Sequence, residues 1–113
     1  MKWSHLKSEH QIDEIRKESK ENHVLIFKYS SRCSLSQLAF DRLERNWKET
    51  EMLGVKPYFL DLINYREISN RIAHEFGVEH ESPQVLIIEN ERSILDQSHM
   101  GIDYQVIKAA VKS

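Results

Sequence analysis

Two stretches of four consecutive apolar residues, Val24-Leu25-Ile26-Phe27 and Val85-Leu86-Ile87-Ile88, interrupt an otherwise polar chain. A strand exposed on one side alternates apolar and polar positions, so an unbroken run reads as a strand buried on both faces. The first predicts a strand over residues 23–29, the second a strand entered from Ser82-Pro83. Elsewhere the spacing changes to the helical period. Ile12 and Ile15 form a narrow apolar face within residues 8–20, opened by a capping box of Ser8 with Gln11. From residue 33 to about 50, Leu35, Leu38, Ala39, Leu43 and Trp47 fall on one side, with Gln37, Asp41, Arg45 and Lys48 opposite. Gly54 ends that connection. A strand is predicted over residues 55–61, at an edge or near-edge position because Pro57 cannot donate to a ladder.

Asn64 with Glu67 predicts a further capping box, opening a helix with Ile68, Ile72 and Phe76 on one face and Gly77 as its stop. A short polar turn at Glu89-Asn90-Glu91 joins residues 85–88 to a strand over about 92–97, which reads as a hairpin. Asp103 caps a last helix whose Tyr104, Ile107 and Val111 share a face. The order is α-β-α-β-α-β-β-α, with a right-handed βαβ unit in the first half. It implies an α/β fold: a central mixed sheet with helices on both faces.

At 113 residues and 40% hydrophobic content the chain fits one domain, residues 1–113. Sixteen basic and 18 acidic residues are interspersed to a net charge of −2, which argues against a nucleic-acid groove or a membrane-surface patch. No apolar stretch approaches a membrane span, and Met1-Lys2-Trp3-Ser4-His5 leads into charged helix, so a cytoplasmic location is expected. The single cysteine fits a reducing compartment. His5, His10, His23, His74, His80 and His99 lack metal-ligand spacing, so no metal is expected; His80, near Pro83, is the histidine expected to lie close to the active site. Trp3, Trp47 and the Tyr58-Phe59 pair read as core. Nothing in the pattern specifies an oligomeric state.

Cys33 carries the chemistry. It sits in the polar segment Ser30-Ser31-Arg32-Cys33-Ser34-Leu35-Ser36, where a strand gives way to a helix. A helix N-terminus offers unpaired N–H groups and the positive end of the macrodipole, which stabilise a thiolate and lower the thiol pKa. With no second cysteine, a redox cycle must be closed by a thiol from another molecule. Ser36 lies one turn further along the same face, placed to hydrogen-bond the thiolate and unable to attack a mixed disulfide.

The segment from Phe27 to Ser36, Phe-Lys-Tyr-Ser-Ser-Arg-Cys-Ser-Leu-Ser, resembles the active-site segment of the monothiol bacilliredoxins of the YtxJ family, which carry a Cys-Pro-Ile-Ser type sequence after a Phe-Lys-His-Ser strand. His80-Glu81-Ser82-Pro83-Gln84 resembles that family's second signature, and the Trp3 start and final helix agree as well. The resemblance implies a thioredoxin-like fold, a cis Pro83, and a Ser82 backbone facing the cysteine to pair with substrate. It also implies bacillithiol as co-substrate, bacillithiol-modified proteins as partners, and no bound cofactor. Lys28 and Arg32 flank the cysteine; either is expected to pair with the malate carboxylates of bacillithiol or to lower the thiol pKa, the alternative being a solvated strand-end charge at Lys28 and a loop charge at Arg32. Ser34 and Leu35 depart from the family's proline and isoleucine. Ser34 is expected to add an N–H near Cys33.

Three functions remain open on these residues. The first is a monothiol bacilliredoxin, the second a non-catalytic thioredoxin-fold module that grips a partner through Ser82-Pro83, and the third a glutaredoxin-like enzyme using another small thiol. The polar setting of Cys33 favours catalysis, since an inert cysteine belongs on an apolar face.

Overall fold

The computed structural model describes residues 1–112. A five-stranded sheet forms from β1 (Ser4–His5), β2 (Val24–Tyr29), β3 (Lys56–Asp61), β4 (Gln84–Glu89) and β5 (Arg92–Ser98), in the spatial order β1-β3-β2-β4-β5. β1, β3 and β2 run parallel, and β4 and β5 are antiparallel to their neighbours, so the sheet is mixed. Helices α1 (His10–Glu18), α2 (Ser34–Asn46), α3 (Arg66–Phe76) and α4 (Tyr104–Lys112) cover it, with a 3₁₀ turn at His99–Gly101. No described helix is long and apolar enough to cross a membrane.

Successive side chains of a strand point to opposite faces, which explains why both apolar runs are continuous. Val24, Ile26, Leu86 and Ile88 join Ile12 and Ile15 of α1 and Ile68 and Ile72 of α3 in one core. Leu25, Phe27, Val85 and Ile87 join Ala39 and Leu43 of α2 and Tyr104 and Ile107 of α4 in the other. Each such side chain contributes on the order of 2 kcal/mol when fully buried. Pro57 lies in β3, one strand in from the edge. β1 covers β3 only at Tyr58 and Phe59, so the proline removes no ladder bond toward that side.

Several boundaries differ from the expected ones. β1 has only two residues and no alternation of its own; pairing with β3, extended by the Leu6 N–H to the Phe59 carbonyl at 2.9 Å, creates it. Helix α1 begins at His10, although Gln11 Oε1 does accept the Ser8 N–H at 3.1 Å and the Lys7 N–H at 2.7 Å. Helix α2 stops at Asn46, because the Tyr104 hydroxyl accepts the Lys48 N–H at 3.2 Å and donates to Glu51 at 2.7 Å, holding the chain in turns. On α2, Leu38 is 52% exposed and leaves the expected apolar face, which Phe40 joins by packing against Phe27. The capping box at Asn64 does not form, since Asp61 accepts from the Ile63 and Asn64 N–H groups and from the Asn64 amide. Gly77 does end α3 in the left-handed region at φ 64°, and Asp103 caps α4 through the Gln105 N–H at 2.8 Å.

The β4–β5 hairpin turns through Asn90 and Glu91, both at positive φ, as a two-residue turn with this strand twist requires. Glycine is absent there, and Ser19 holds the strained turn instead. Its carbonyl accepts the Asn90 N–H at 2.8 Å and its hydroxyl the Glu91 N–H at 2.9 Å.

Candidate active site

Where β2 ends, residues 30–33 turn into α2, and Cys33 is the residue at the helix N-cap, with φ −116° and ψ 113°. Its N–H is engaged by the Ser30 carbonyl at 3.1 Å, and its own carbonyl accepts the Ser36 N–H at 3.0 Å. The side chain is half-buried. The Cys33 thiol is held below the usual thiol range, foremost by the Ser36 N–H, against a smaller opposing effect of burial, with the Leu35 N–H and the Ser36 hydroxyl adding to the lowering. The helix terminus therefore supplies the donors that the position promised.

Ser36 is fully buried, and its hydroxyl oxygen accepts the Ser30 N–H at 3.3 Å. The same hydroxyl is among the groups that favour the charged form of Cys33. Ser36 thus works through both its backbone and its side chain. The donors to the sulfur are those of Leu35 and Ser36, one and two positions beyond Ser34, so the expected contribution of the Ser34 N–H is corrected. Ser34 is the exposed first residue of α2. Arg32 is also exposed, and its N–H donates to Ser30 Oγ at 3.3 Å. Its guanidinium is not among the causes that lower the Cys33 pKa.

Lys28 is where expectation and structure part most. Neither a carboxylate clamp at the surface nor a solvated strand end, it is 0% exposed, following Ile26 on the α1–α3 face of the sheet. Its ammonium donates to the Ser69 carbonyl of α3 at 3.4 Å and lies 3.4 Å from His80 Nδ1. Burial, and next the Arg66 guanidinium, push its pKa down to about 8. The Ser69 hydroxyl lies 3.1 Å from the same His80 nitrogen. Burial holds the His80 imidazole below the ordinary histidine range, with Lys28 and Arg66 adding to the effect and Glu81 opposing it. A protonated lysine has donors only, so Nδ1 accepts and the ring proton is assigned to Nε2. The alternating register that buries Val24 and Ile26 was the available sign that Lys28 turns inward; Ser69 gave none.

The Ser82–Pro83 peptide is cis, and Pro83 is buried. Residues 79–83 are tied from several elements. Gln84 Nε2 donates to the Glu79 carbonyl at 3.0 Å, His80 meets Lys28 and Ser69, the His99 ring lies 3.3 Å from Glu81 Oε2, and the His99 N–H donates to the Pro83 carbonyl at 3.0 Å. His99 itself takes positive φ, 54°, to do so. Ser82 Oγ is buried with no hydrogen-bond partner among the described residues, as is Gln84 Oε1.

The profile of the monothiol bacilliredoxin BrxC family matches residues 4–107. A solved structure described as a candidate oxidoreductase with a thioredoxin fold superposes with a TM-score of 0.80 at 26% identity, over 97% of this chain and 93% of the other. The thioredoxin of Malassezia sympodialis follows at a TM-score of 0.74 and 15% identity, over 98% and 89%. Thioredoxin f2 of Chlamydomonas reinhardtii gives 0.71 at 13% identity, over 98% and 94%. The last two similarities establish the thioredoxin fold alone.

Proposed function

The chain belongs to the monothiol bacilliredoxin family and is a thiol–disulfide oxidoreductase, and from that premise we propose that it removes bacillithiol from mixed disulfides on proteins by means of Cys33. The thiolate attacks the bacillithiol sulfur of the mixed disulfide, the client thiolate leaves, and Cys33 becomes disulfide-linked to bacillithiol. A second bacillithiol thiolate then attacks that sulfur, restoring Cys33 and releasing bacillithiol disulfide. The net exchange converts one client mixed disulfide and one bacillithiol thiol into one client thiol and one bacillithiol disulfide, with no net change at the enzyme.

The observation that carries this reading is the hydrogen-bond setting of Cys33, a thiolate favoured by the Ser36 and Leu35 amides with a serine hydroxyl where a resolving thiol would otherwise stand. Ser36 stabilises the thiolate and is inert toward the mixed disulfide. Arg32, exposed beside the cysteine, is the cation offered to the malate carboxylates. Ser34, the exposed residue that follows Cys33, joins Arg32 in contacting bacillithiol, and the backbone of Ser82, presented by Pro83, is the docking edge for the client. The bacterial reducing cytoplasm is the compartment in which a lone reactive thiol of this kind operates.

Incubation with bacillithiol disulfide and, separately, with glutathione disulfide, followed by intact-mass measurement, tests the proposal. The expected result is a bacillithiol adduct that is absent from Cys33→Ser. An adduct with glutathione only would transfer the chain to the glutaredoxin-like reading, and no adduct with either would refute exchange chemistry at Cys33.

A further inference from the structure

Lys28 has no part in the exchange steps, yet it is a fully buried ionisable side chain next to the segment that precedes Pro83. A buried charge is poor evidence for stability, because desolvation opposes whatever its hydrogen bonds contribute. An apolar residue of the same length would continue the core of Val24 and Ile26 without that cost. The cation does make contacts that an apolar residue lacks: the Ser69 carbonyl on α3, and His80 in the segment 79–83. It therefore joins the end of β2, a helix and a loop at one point. The second tie on the loop, from Gln84, comes from the residue paired with Lys28 across β2 and β4.

We infer that Lys28 is a positioning residue, whose ammonium holds His80 and with it the segment 79–83, so that the docking edge at Ser82 is presented in one conformation. This rests on the proposal that Ser82 docks the client. The charged and titratable groups facing Lys28 are Arg66 from α3 and His80 from the loop, with Glu81 acting on His80; its cross-strand neighbours Leu60 and Gln84 are uncharged. The amine loses its proton near pH 8, where the stronger charge-assisted contact to His80 is lost and the loop is expected to loosen.

Two measurements separate the parts of this inference. The first is hydrogen exchange of the peptide covering residues 78–86, corrected for intrinsic rates, in the parent from pH 7 to 9 and in Lys28→Met at pH 7. Exchange about tenfold faster in the variant, and a matching acceleration in the parent above pH 8, are expected for a released loop. Unchanged exchange in both would overturn the inference, and the parent's own pH series decides it even where the variant folds poorly. The second is turnover of a cysteinyl peptide carrying bacillithiol in mixed disulfide. A KM about tenfold higher in Lys28→Met, with kcat and the alkylation midpoint of Cys33 unchanged, is the signature of lost positioning. His80→Ala should raise KM as much, and the double variant no further, because both remove the same tether. A shifted Cys33 midpoint with unchanged KM would instead make Lys28 an electrostatic neighbour of the thiol and overturn positioning. Faster exchange with unchanged KM would show that the loop is tethered and is not the docking edge. A parent that fails on the peptide while its loop loosens above pH 8 would refute the substrate proposal and leave the tether standing.

Discussion

Cys33 and Lys28 both have pKa values below their ordinary range, and the causes are opposite. At Cys33 hydrogen bonds to the charged form do most of the lowering, so the protein favours the ion. At Lys28 burial does it, so the protein disfavours the ion and keeps it nonetheless. The first arrangement prepares a nucleophile at the surface. The second maintains a cation inside the fold that folding alone does not require. A lowered pKa is thus two different statements about function, and only the geometry around each group separates them.

The largest expected effect breaks the comparison on the Cys33 side. Cys33→Ser should abolish exchange with any mixed disulfide and all alkylation by a thiol reagent, because the sequence contains no other cysteine. Residual exchange above background, measured by release of bacillithiol from a modified peptide, would remove Cys33 from the centre of the chemistry.

Next in size is the stability effect of Lys28. Its folded-state pKa of about 8 lies below the ordinary 10.5, so the folded protein binds the proton less tightly than the unfolded chain. The cost is fully present below pH 8 and is relieved as pH rises from 8 to 10.5. By this linkage Lys28→Met should be more stable than the parent at pH 7, by about 3 kcal/mol, with the difference shrinking across that window. Urea unfolding at pH 7 and pH 10 measures it. A variant less stable than the parent at pH 7 would mean that the Ser69 and His80 contacts outweigh desolvation, and the contrast between the two sites would fail.

Much of this arrangement was legible before the structure. The continuous apolar runs of β2 and β4 announced two-sided burial, Gly77 and Asp103 marked helix ends, and the polar turn around Cys33 announced the nucleophile. β1 was illegible because two residues have no periodicity, and it exists only through its pairing with β3. Asn64 was misread as a cap because Asp61, three residues earlier, takes the same backbone donors and the Asn64 amide. Lys28 was misread for a different reason. A charge at a strand end is usually solvated, and the contacts that hold it come from Ser69 and His80, 41 and 52 residues away.

The smallest expected effect sharpens the Cys33 side. Ser34→Pro removes an N–H that does not serve the sulfur and pre-sets the first helical position, so the Cys33 pKa should stay in place. Stability should rise by about 0.5 kcal/mol in thermal or urea unfolding. A raised alkylation midpoint in this variant would place the Ser34 amide among the donors to the thiolate.

The most direct test of the central claim is the rate of Cys33 alkylation against pH, in the parent and in Ser36→Ala. The account predicts a parent midpoint below the free-thiol value of about 8.5. It predicts a higher midpoint in the variant, which loses the hydroxyl donor and retains the Leu35 and Ser36 amides. A parent midpoint at or above the free-thiol value, or one that Ser36→Ala leaves unmoved, would contradict it.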